Sequence, residues 1–262
     1  MNTPAEVAKN YVAAGALKTK MEFSRLMVLS IMAGMFIAFA GAASTTASVS
    51  VASASIARLV GALVFPAGLA MVLVAGSELF TGNNMIIISV MEKEAKFSGM
   101  IRNWVIVYIG NFIGAVLIAA LFVYGHTPSF FDEGLAAAVV NTAQYKVSLS
   151  FSDALIRGVL CNLLVCIAVW MSLSAKTVGG KIAGLYFPIM LFVLCGFEHC
   201  IANMYFIPAG IFAASEYGIQ AGALSWGSFF LNNLLPVTLG NIISGTGIVA
   251  LGYWSVYLRG QK

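Results

Sequence analysis

The chain has 262 residues, of which 60% are hydrophobic and 9% are charged. A soluble domain carries about 25% charged residues, so this composition excludes an ordinary water-soluble enzyme or binding domain. It predicts an all-α membrane protein with several spans. The formal net charge of +4 is therefore not a sign of a nucleic-acid partner, and we expect none.

The N-terminal residues carry a helix-start signal. Thr3 fits an N-cap, Pro4 fits the first helical position, and Glu6 completes a capping box. The pattern predicts a helix over 4–19. We expect residues 1–25 to form an amphipathic cytoplasmic helix that lies at the membrane interface, followed by a membrane domain over 26–258.

Uncharged runs predict six membrane-spanning segments, since a helix needs about 20 apolar residues to cross a bilayer. The segments are 26–57, 59–91, 103–125, 158–175, 182–214 and about 226–256. The second segment is interrupted at Glu78, and the fifth is interrupted at Glu198 and His199. We expect a broken helix in each of these two segments.

Lys and Arg residues are unevenly distributed between the loops. With six spans, eleven of the 14 basic residues, Lys262 among them, fall on the side that holds both termini. The other side holds Arg58, Lys146 and Arg157. The positive-inside rule therefore predicts that both termini are cytoplasmic.

The two halves of the chain share short motifs at equal spacing. AGSELFTGNNM in the second segment and CGFEHCIANM in the fifth have in common the residues Gly76/Gly196, Glu78/Glu198 and Asn83/Asn203. YIGNFIG and TLGNIISG share a Gly-Asn pair in the third and sixth segments. Three spans in each half require the halves to be inverted. We therefore predict two inverted three-helix repeats, about 26–125 and 150–258, with a substrate site at the breaks.

Two glutamates lie near the middle of predicted spans. A charge at the bilayer centre costs at least about 2.5–3.5 kcal/mol, so Glu78 and Glu198 need partners. We expect both to be structural, together with Asn83 and Asn203. Each glutamate would cap the backbone N–H groups freed at its break or bond a neighbouring helix.

His199 has no counterpart in the other half, where Leu79 takes its position. An imidazole changes charge near neutral pH, so His199 could attract an anion or donate a proton to it, or it could be a neutral core residue. Thr81 offers a hydroxyl from the other break. Lys146 is either a solvated loop lysine or an anion attractor, and Asn162 either bonds neighbouring helices or lines the path.

These residues also carry a family resemblance. GSELFTGNNM, LCNLLVCIAVWMS, GFEHCIANMYFIPAG and LPVTLGNIISG together resemble the formate–nitrite transporter family of bacterial anion channels, over essentially the whole chain. The resemblance implies an aquaporin-like fold of six helices, assembled as a homopentamer with one pore per protomer in the bacterial cytoplasmic membrane.

The resemblance also implies roles for single residues. His199 matches the central pore histidine and Thr81 its partner, while Lys146 matches the vestibule lysine and Asn162 the asparagine near the histidine. The apolar constrictions are implied by the resemblance alone. The residues that match them are Phe65 and Phe192 for the outer constriction, and Leu69, Leu79 and Val165 for the inner one. TGNN resembles the nitrite and hydrosulfide members more than the formate ones.

An ion does not cross a dry apolar constriction cheaply, whereas a weak acid can cross once it is protonated. We therefore expect a channel for hydrosulfide, formate and nitrite, with hydrosulfide or a related anion preferred. In this channel His199 protonates the anion or balances its charge. The expected partners are these anions, the lipid bilayer and further copies of the chain, and we expect no cofactor or metal.

Three functions are alternatives to an anion channel. A proton-coupled anion symporter on the same scaffold stays open, because it could share every residue named above. A neutral-solute channel is disfavoured since paired NPA motifs are absent. A membrane enzyme subunit is disfavoured because the chain has two histidines and neither an HExxH nor a GxSxG motif.

Overall fold

The computed structural model describes residues 1–260, in which every regular element is helical. Lys262, one of the basic residues predicted to lie on the cytoplasmic side, is outside the described residues. The helices, in chain order, are α1 (Pro4–Thr19), α2 (Phe23–Ser48), α3 (Ala54–Ala75), α4 (Phe80–Met91), α5 (Phe97–Tyr124), α6 (Gly134–Val147), α7 (Phe151–Ser174), α8 (Val178–Leu194), α9 (Cys200–Glu216) and α10 (Trp226–Tyr257).

Five helices are long and apolar enough to cross a membrane, namely α2, α3, α5, α7 and α10. The shortest of them, α3, has 22 residues, which corresponds to about 33 Å at 1.5 Å per residue. Helices α4 and α8 are apolar but shorter. Helix α10 contains two π-helical stretches, Phe229–Leu234 and Ile243–Ala250.

Two expectations about helix boundaries were wrong. The first predicted segment, 26–57, is too long, because α2 ends at Ser48 and α3 begins at Ala54. The intervening residues are uncharged, so the absence of charge did not mark the end of the helix. Helix α6 was not predicted, and Lys146 lies in its last turn instead of in a solvated loop.

The chain is interrupted at both predicted breaks. Helix α3 ends before Gly76, which has φ +82°, and α8 ends shortly before Gly196, which has φ +71°. This left-handed conformation favours glycine, since a side chain would be strained there. The extended residues Leu79 and His199 then begin α4 and α9.

Helix packing brings the two breaks together. Helix α2 packs against α5, α7 packs against α8 and α10, and the two helices that precede the breaks, α3 and α8, pack against each other. Some crossings require glycine. A Cβ on Gly34 would overlap the carbonyl of Asn111, and one on Gly240 would overlap the carbonyl of Leu155. Small residues of this kind let the backbones of apolar helices approach closely.

Helix α1 begins where the sequence predicted and packs against α4, α5, α7 and α10. The capping box is confirmed, since the Glu6 N–H donates to Thr3 Oγ1 (3.3 Å) and the Thr3 N–H donates to Glu6 Oε2 (2.7 Å). The Thr3 N–H holds the pKa of Glu6 below its ordinary value. Further along α1, the Tyr11 hydroxyl donates to the carbonyl of Gly82 (3.1 Å). This hydrogen bond joins α1 to the chain just after the first break.

Candidate functional site

Thr81 and His199 meet at the centre of the protein. The Ala202 N–H donates to His199 Nδ1 (3.1 Å), so this nitrogen carries no proton. In the neutral ring the proton is therefore on Nε2, which lies 3.0 Å from Thr81 Oγ1. The hydrogen-bond network assigns a neutral His199 whose Nε2–H donates to the Thr81 hydroxyl.

The same contact joins the N-termini of two helices. Thr81 lies in the first turn of α4, and His199 is the N-cap of α9. The N-terminus of a helix carries partial positive charge on N–H groups that have no partner within the helix. Two such ends converge here around a hydroxyl and an imidazole that are both buried, an arrangement suited to a small anion or its conjugate acid.

Two cavities approach this contact from opposite sides. The first, here called the Lys146 cavity, has a volume of about 530 Å³, and its lining includes Lys146, Phe65, Phe192 and His199. The second, the Lys18 cavity, has a volume of about 330 Å³, and its lining includes Lys18, Glu78, Leu69, Leu79 and Val169. The two cavities share no lining residue.

The five predicted constriction residues are all buried. Phe65 and Phe192 face each other edge-to-face with ring centroids 5.5 Å apart, and the Phe192 ring lies 5.9 Å from that of His199. Leu69 and Leu79 line the Lys18 cavity. Val165 is buried in the core and lines neither cavity.

Glu198 is held by a set of side chains that we call the Glu198 network: Lys146, Glu198, Asn203 and Asn233. Lys146 Nζ donates to Glu198 Oε1 (2.9 Å), and Asn203 Nδ2 donates to Glu198 Oε2 (2.7 Å). Asn203 Nδ2 also donates to Asn233 Oδ1 (2.7 Å), and Asn233 Nδ2 donates to the Lys146 carbonyl (2.9 Å). Asn233 Nδ2 also lies 3.3 Å from Glu198 Oε2, so the buried carboxylate has a cation and two amides as partners.

Glu78 is held in the same way by the Glu78 network: Lys18, Glu78, Asn83 and Asn103. Lys18 Nζ donates to Glu78 Oε1 (2.6 Å), and Asn83 Nδ2 donates to Glu78 Oε2 (2.7 Å). Asn83 Nδ2 also donates to Asn103 Oδ1 (2.9 Å), and Asn103 Nδ2 donates to the Lys18 carbonyl (3.1 Å). Four of the five bonds of the Glu198 network therefore recur here, and the bond from Asn233 Nδ2 to Glu198 Oε2 is the one without a counterpart.

Lys18, Asn103 and Asn233 were not predicted from the sequence to belong to the site, although their spacing in the chain indicates it. Lys18 and Lys146 each lie five residues before the phenylalanine that begins a long helix. Asn103 and Asn233 have the same separation in the chain as the two Gly-Asn pairs. Extending the comparison of the two halves outward from the breaks would have found all three.

The free backbone groups at the breaks are bonded by other residues. Asn111 Oδ1 accepts from the Phe80 N–H, and Asn241 Oδ1 accepts from the Cys200 N–H, both at 3.0 Å. Their Nδ2 groups also donate to the carbonyls of Glu78 and Glu198. Of the two roles expected for the glutamates, the contacts show bonds to neighbouring helices, through Lys18 of α1 and Lys146 of α6, and not caps on backbone N–H groups. The asparagines of the Gly-Asn pairs bond the backbone instead.

Asn162 is fully buried on α7 and contacts three protein groups. Its Nδ2 lies 2.7 Å from the Asn241 carbonyl, 2.9 Å from Asn84 Oδ1 and 3.3 Å from the Thr81 carbonyl. It lines neither cavity. Its contacts support the backbone that carries Thr81 and join α7 to α4 and α10.

The formate/nitrite transporter family model matches residues 5–255. The chain belongs to this family. A probable formate transporter of Methanothermobacter thermautotrophicus is 40% identical to this family member, over 98% of this chain and 97% of that protein. A solved pentameric formate channel with formate bound has a TM-score of 0.80 and 32% identity, and the match covers 90% of this chain and 98% of that chain. A solved ion channel of the FNT family has a TM-score of 0.86 and 28% identity, covering 95% and 98%.

These relatives are named as transporters and channels. Together with the five long apolar helices, membership of the formate/nitrite transporter family makes the chain a multi-pass membrane transport protein and not an enzyme.

Proposed function

We propose that this family member is a channel for small monovalent anions of weak acids, with formate as its first substrate and nitrite and hydrosulfide as further ones. The buried contact between Thr81 and His199, which lies between the two cavities, carries the proposal. Formate replaces hydrosulfide as the first candidate because two of the similar proteins are named for formate.

The buried apolar residues Phe65, Leu69, Leu79 and Phe192, which line the two cavities, favour passage of a neutral species. An anion loses its hydration in a dry barrier at high cost, whereas its conjugate acid does not. In this mechanism the anion takes up a proton in the Lys146 cavity and crosses as the acid. It loses the proton again in the Lys18 cavity.

His199 acts in this mechanism as a neutral hydrogen-bond donor to the anion and to its conjugate acid. Protonation by the neutral ring would leave an imidazolate, so the proton is supplied by water in the cavity. Donation from an imidazolium is the second route, but a proton on Nδ1 would face the Ala202 N–H, which already points at that nitrogen. The hydrogen bonds therefore favour a neutral His199 that donates a hydrogen bond over an imidazolium that balances charge or transfers a proton.

We further propose that the chain forms six spans in two inverted repeats, 26–125 and 150–258, in an aquaporin-like arrangement with 1–25 as a cytoplasmic helix. The matching Glu78 and Glu198 networks support this repeat. Both termini would be cytoplasmic in a bacterial inner membrane, with the Lys146 cavity open to the outside. The solved pentameric formate channel supports a homopentamer.

A proton-coupled symporter is the second candidate, and the absence of any lining residue common to the two cavities favours it. A closed barrier is what alternating access requires. The two candidates differ in how uptake responds to formate already inside the vesicle. Internal formate accelerates formate uptake by a symporter and does not accelerate uptake by a channel.

The deciding experiment measures the flux of formate, nitrite and hydrosulfide into proteoliposomes with the wild type, His199→Asn and His199→Ala. We expect the wild type to pass all three anions and the His199 variants to lose flux or to change its pH dependence. His126→Asn is the matched control, because His126 is exposed and distant in the chain. An unchanged pH profile in both His199 variants would contradict a pore role for His199.

A further inference from the structure

An unpaired guanidinium group lies in the Lys146 cavity. Arg58, near the start of α3, lines this cavity together with Gly196. A Cβ added to Gly196 would lie 2.6 Å from Arg58 Nη1, so the guanidinium sits directly against this glycine. The break at the end of α8 therefore leaves room for the arginine head group at the cavity wall.

Lys146 is the other lysine or arginine in the lining of this cavity, and Arg157 bonds the lining residue Tyr145; both are already engaged. Lys146 is bonded to Glu198 at 2.9 Å, and its side chain is only 12% exposed. Arg157 donates to the Tyr145 hydroxyl (2.5 Å) and lies over the Tyr145 ring at 5.8 Å. Among residues 1–260, Arg58 makes neither a salt bridge nor a side-chain hydrogen bond, and it is exposed. The uncompensated charge of the cavity is therefore on Arg58 and not on Lys146.

We propose that Arg58 is an anion-binding residue of the Lys146 cavity and that it selects planar oxyanions. The planar fork of a guanidinium matches the two oxygens of a carboxylate with two parallel hydrogen bonds, and a point charge does not. Formate and nitrite each present two oxygens in this way. Hydrosulfide has a single sulfur and cannot form two parallel hydrogen bonds with the fork. The proposal rests on the proposed function, and it states which of the proposed anions the Lys146 cavity binds best.

The test compares the KM and the maximal rate for formate, nitrite and hydrosulfide in proteoliposomes at low ionic strength, where screening is weak. We expect Arg58→Gln to raise the KM for formate and nitrite by about tenfold, the effect of losing a charge-assisted contact, with the maximal rate nearly unchanged. Arg58→Lys keeps the charge and loses the fork. It should raise the KM for the two oxyanions while the KM for hydrosulfide stays close to that of the wild type.

Arg157→Gln is the matched control, since it removes the same charge near the same cavity from a guanidinium that already has a partner. Equal KM shifts in Arg58→Gln and Arg157→Gln would overturn the proposal and leave only general electrostatic attraction. An unchanged KM in Arg58→Gln would overturn it as well. Failure of the wild type itself to pass formate and nitrite would instead overturn the proposed function, and this inference with it.

Discussion

Glu78 and Glu198 each accept a hydrogen bond from one lysine and from the asparagine five residues on, and Glu198 accepts one more from Asn233. The two carboxylates are only 6% and 2% exposed. Removal of a carboxylate from water costs several kcal/mol, so the lysine and the amide are what allow a charge at each break. The two networks thus explain how Glu78 and Glu198 can be structural in an apolar setting.

Replacement of Lys146 by methionine should destabilise the protein strongly. Glu198 would then be buried without a counter-charge, a change that costs about 3–5 kcal/mol in comparable cases. Thermal unfolding in detergent measures the effect, with Lys9→Met as the control because Lys9 is exposed on α1. The double variant Lys146→Met/Glu198→Gln should regain much of the lost stability. Equal melting temperatures for Lys146→Met and Lys9→Met would show that the ion pair is unimportant.

Asn241→Ala should weaken the second break. The side chain accepts from the Cys200 N–H and donates to the carbonyls of Gly158 and Glu198, all in a buried setting. Each buried group left unpaired costs about 1–3 kcal/mol, so we expect a loss of about 3 kcal/mol or more in the free energy of unfolding. Asn141→Ala, at an exposed asparagine of α6, is the control. A loss below about 1 kcal/mol would mean that water replaces these bonds.

Gly245→Ala should be destabilising where Gly247→Ala is not. A Cβ on Gly245 would lie 2.9 Å from Asn84 Cβ and would overlap the amide of Asn162, whereas a Cβ on Gly247 meets nothing within 4 Å. Overpacking of this kind costs about 1–3 kcal/mol. Chemical or thermal unfolding of both variants measures the difference. Formate flux should also fall in Gly245→Ala, because Asn162 supports the backbone of Thr81.

The sequence predicted the parts of this fold that depend on local chemistry. The capping box at Thr3 and Glu6 placed α1 correctly, and the charges at Glu78 and Glu198 marked both breaks. The end of α2 was misplaced because helix ends in this chain are set by small polar residues as well as by charge. The unpredicted π-helical stretches of α10 depend on packing that no local pattern encodes.

The candidate site was predictable only in part. His199 and Thr81 stood out because each is polar at a break in an apolar segment. The hydrogen bond between them, at 3.0 Å, joins residues 118 positions apart and required the tertiary fold. Lys18 escaped notice since it lies in a polar helix outside the spans, and only its contact with Glu78 reveals its place at a cavity.

Thr81→Val should reduce formate flux by roughly tenfold or more, while Thr81→Ser should keep most of it. Valine has the shape of threonine but leaves the Nε2–H of His199 without an acceptor, whereas serine keeps the hydroxyl. Initial rates in proteoliposomes at equal protein content give the comparison. Equal rates for the two variants would show that the Thr81 hydroxyl plays no part in transport.

The separation of the two cavities has a pharmacological consequence. Because no side chain borders both of them, a blocker fitted to the Lys146 cavity and another fitted to the Lys18 cavity can occupy one protomer together. Neither would displace the other, so the fractions of flux that each leaves would multiply. A substitution that prevents a blocker from binding in one cavity would leave the protein sensitive to the blocker of the other cavity.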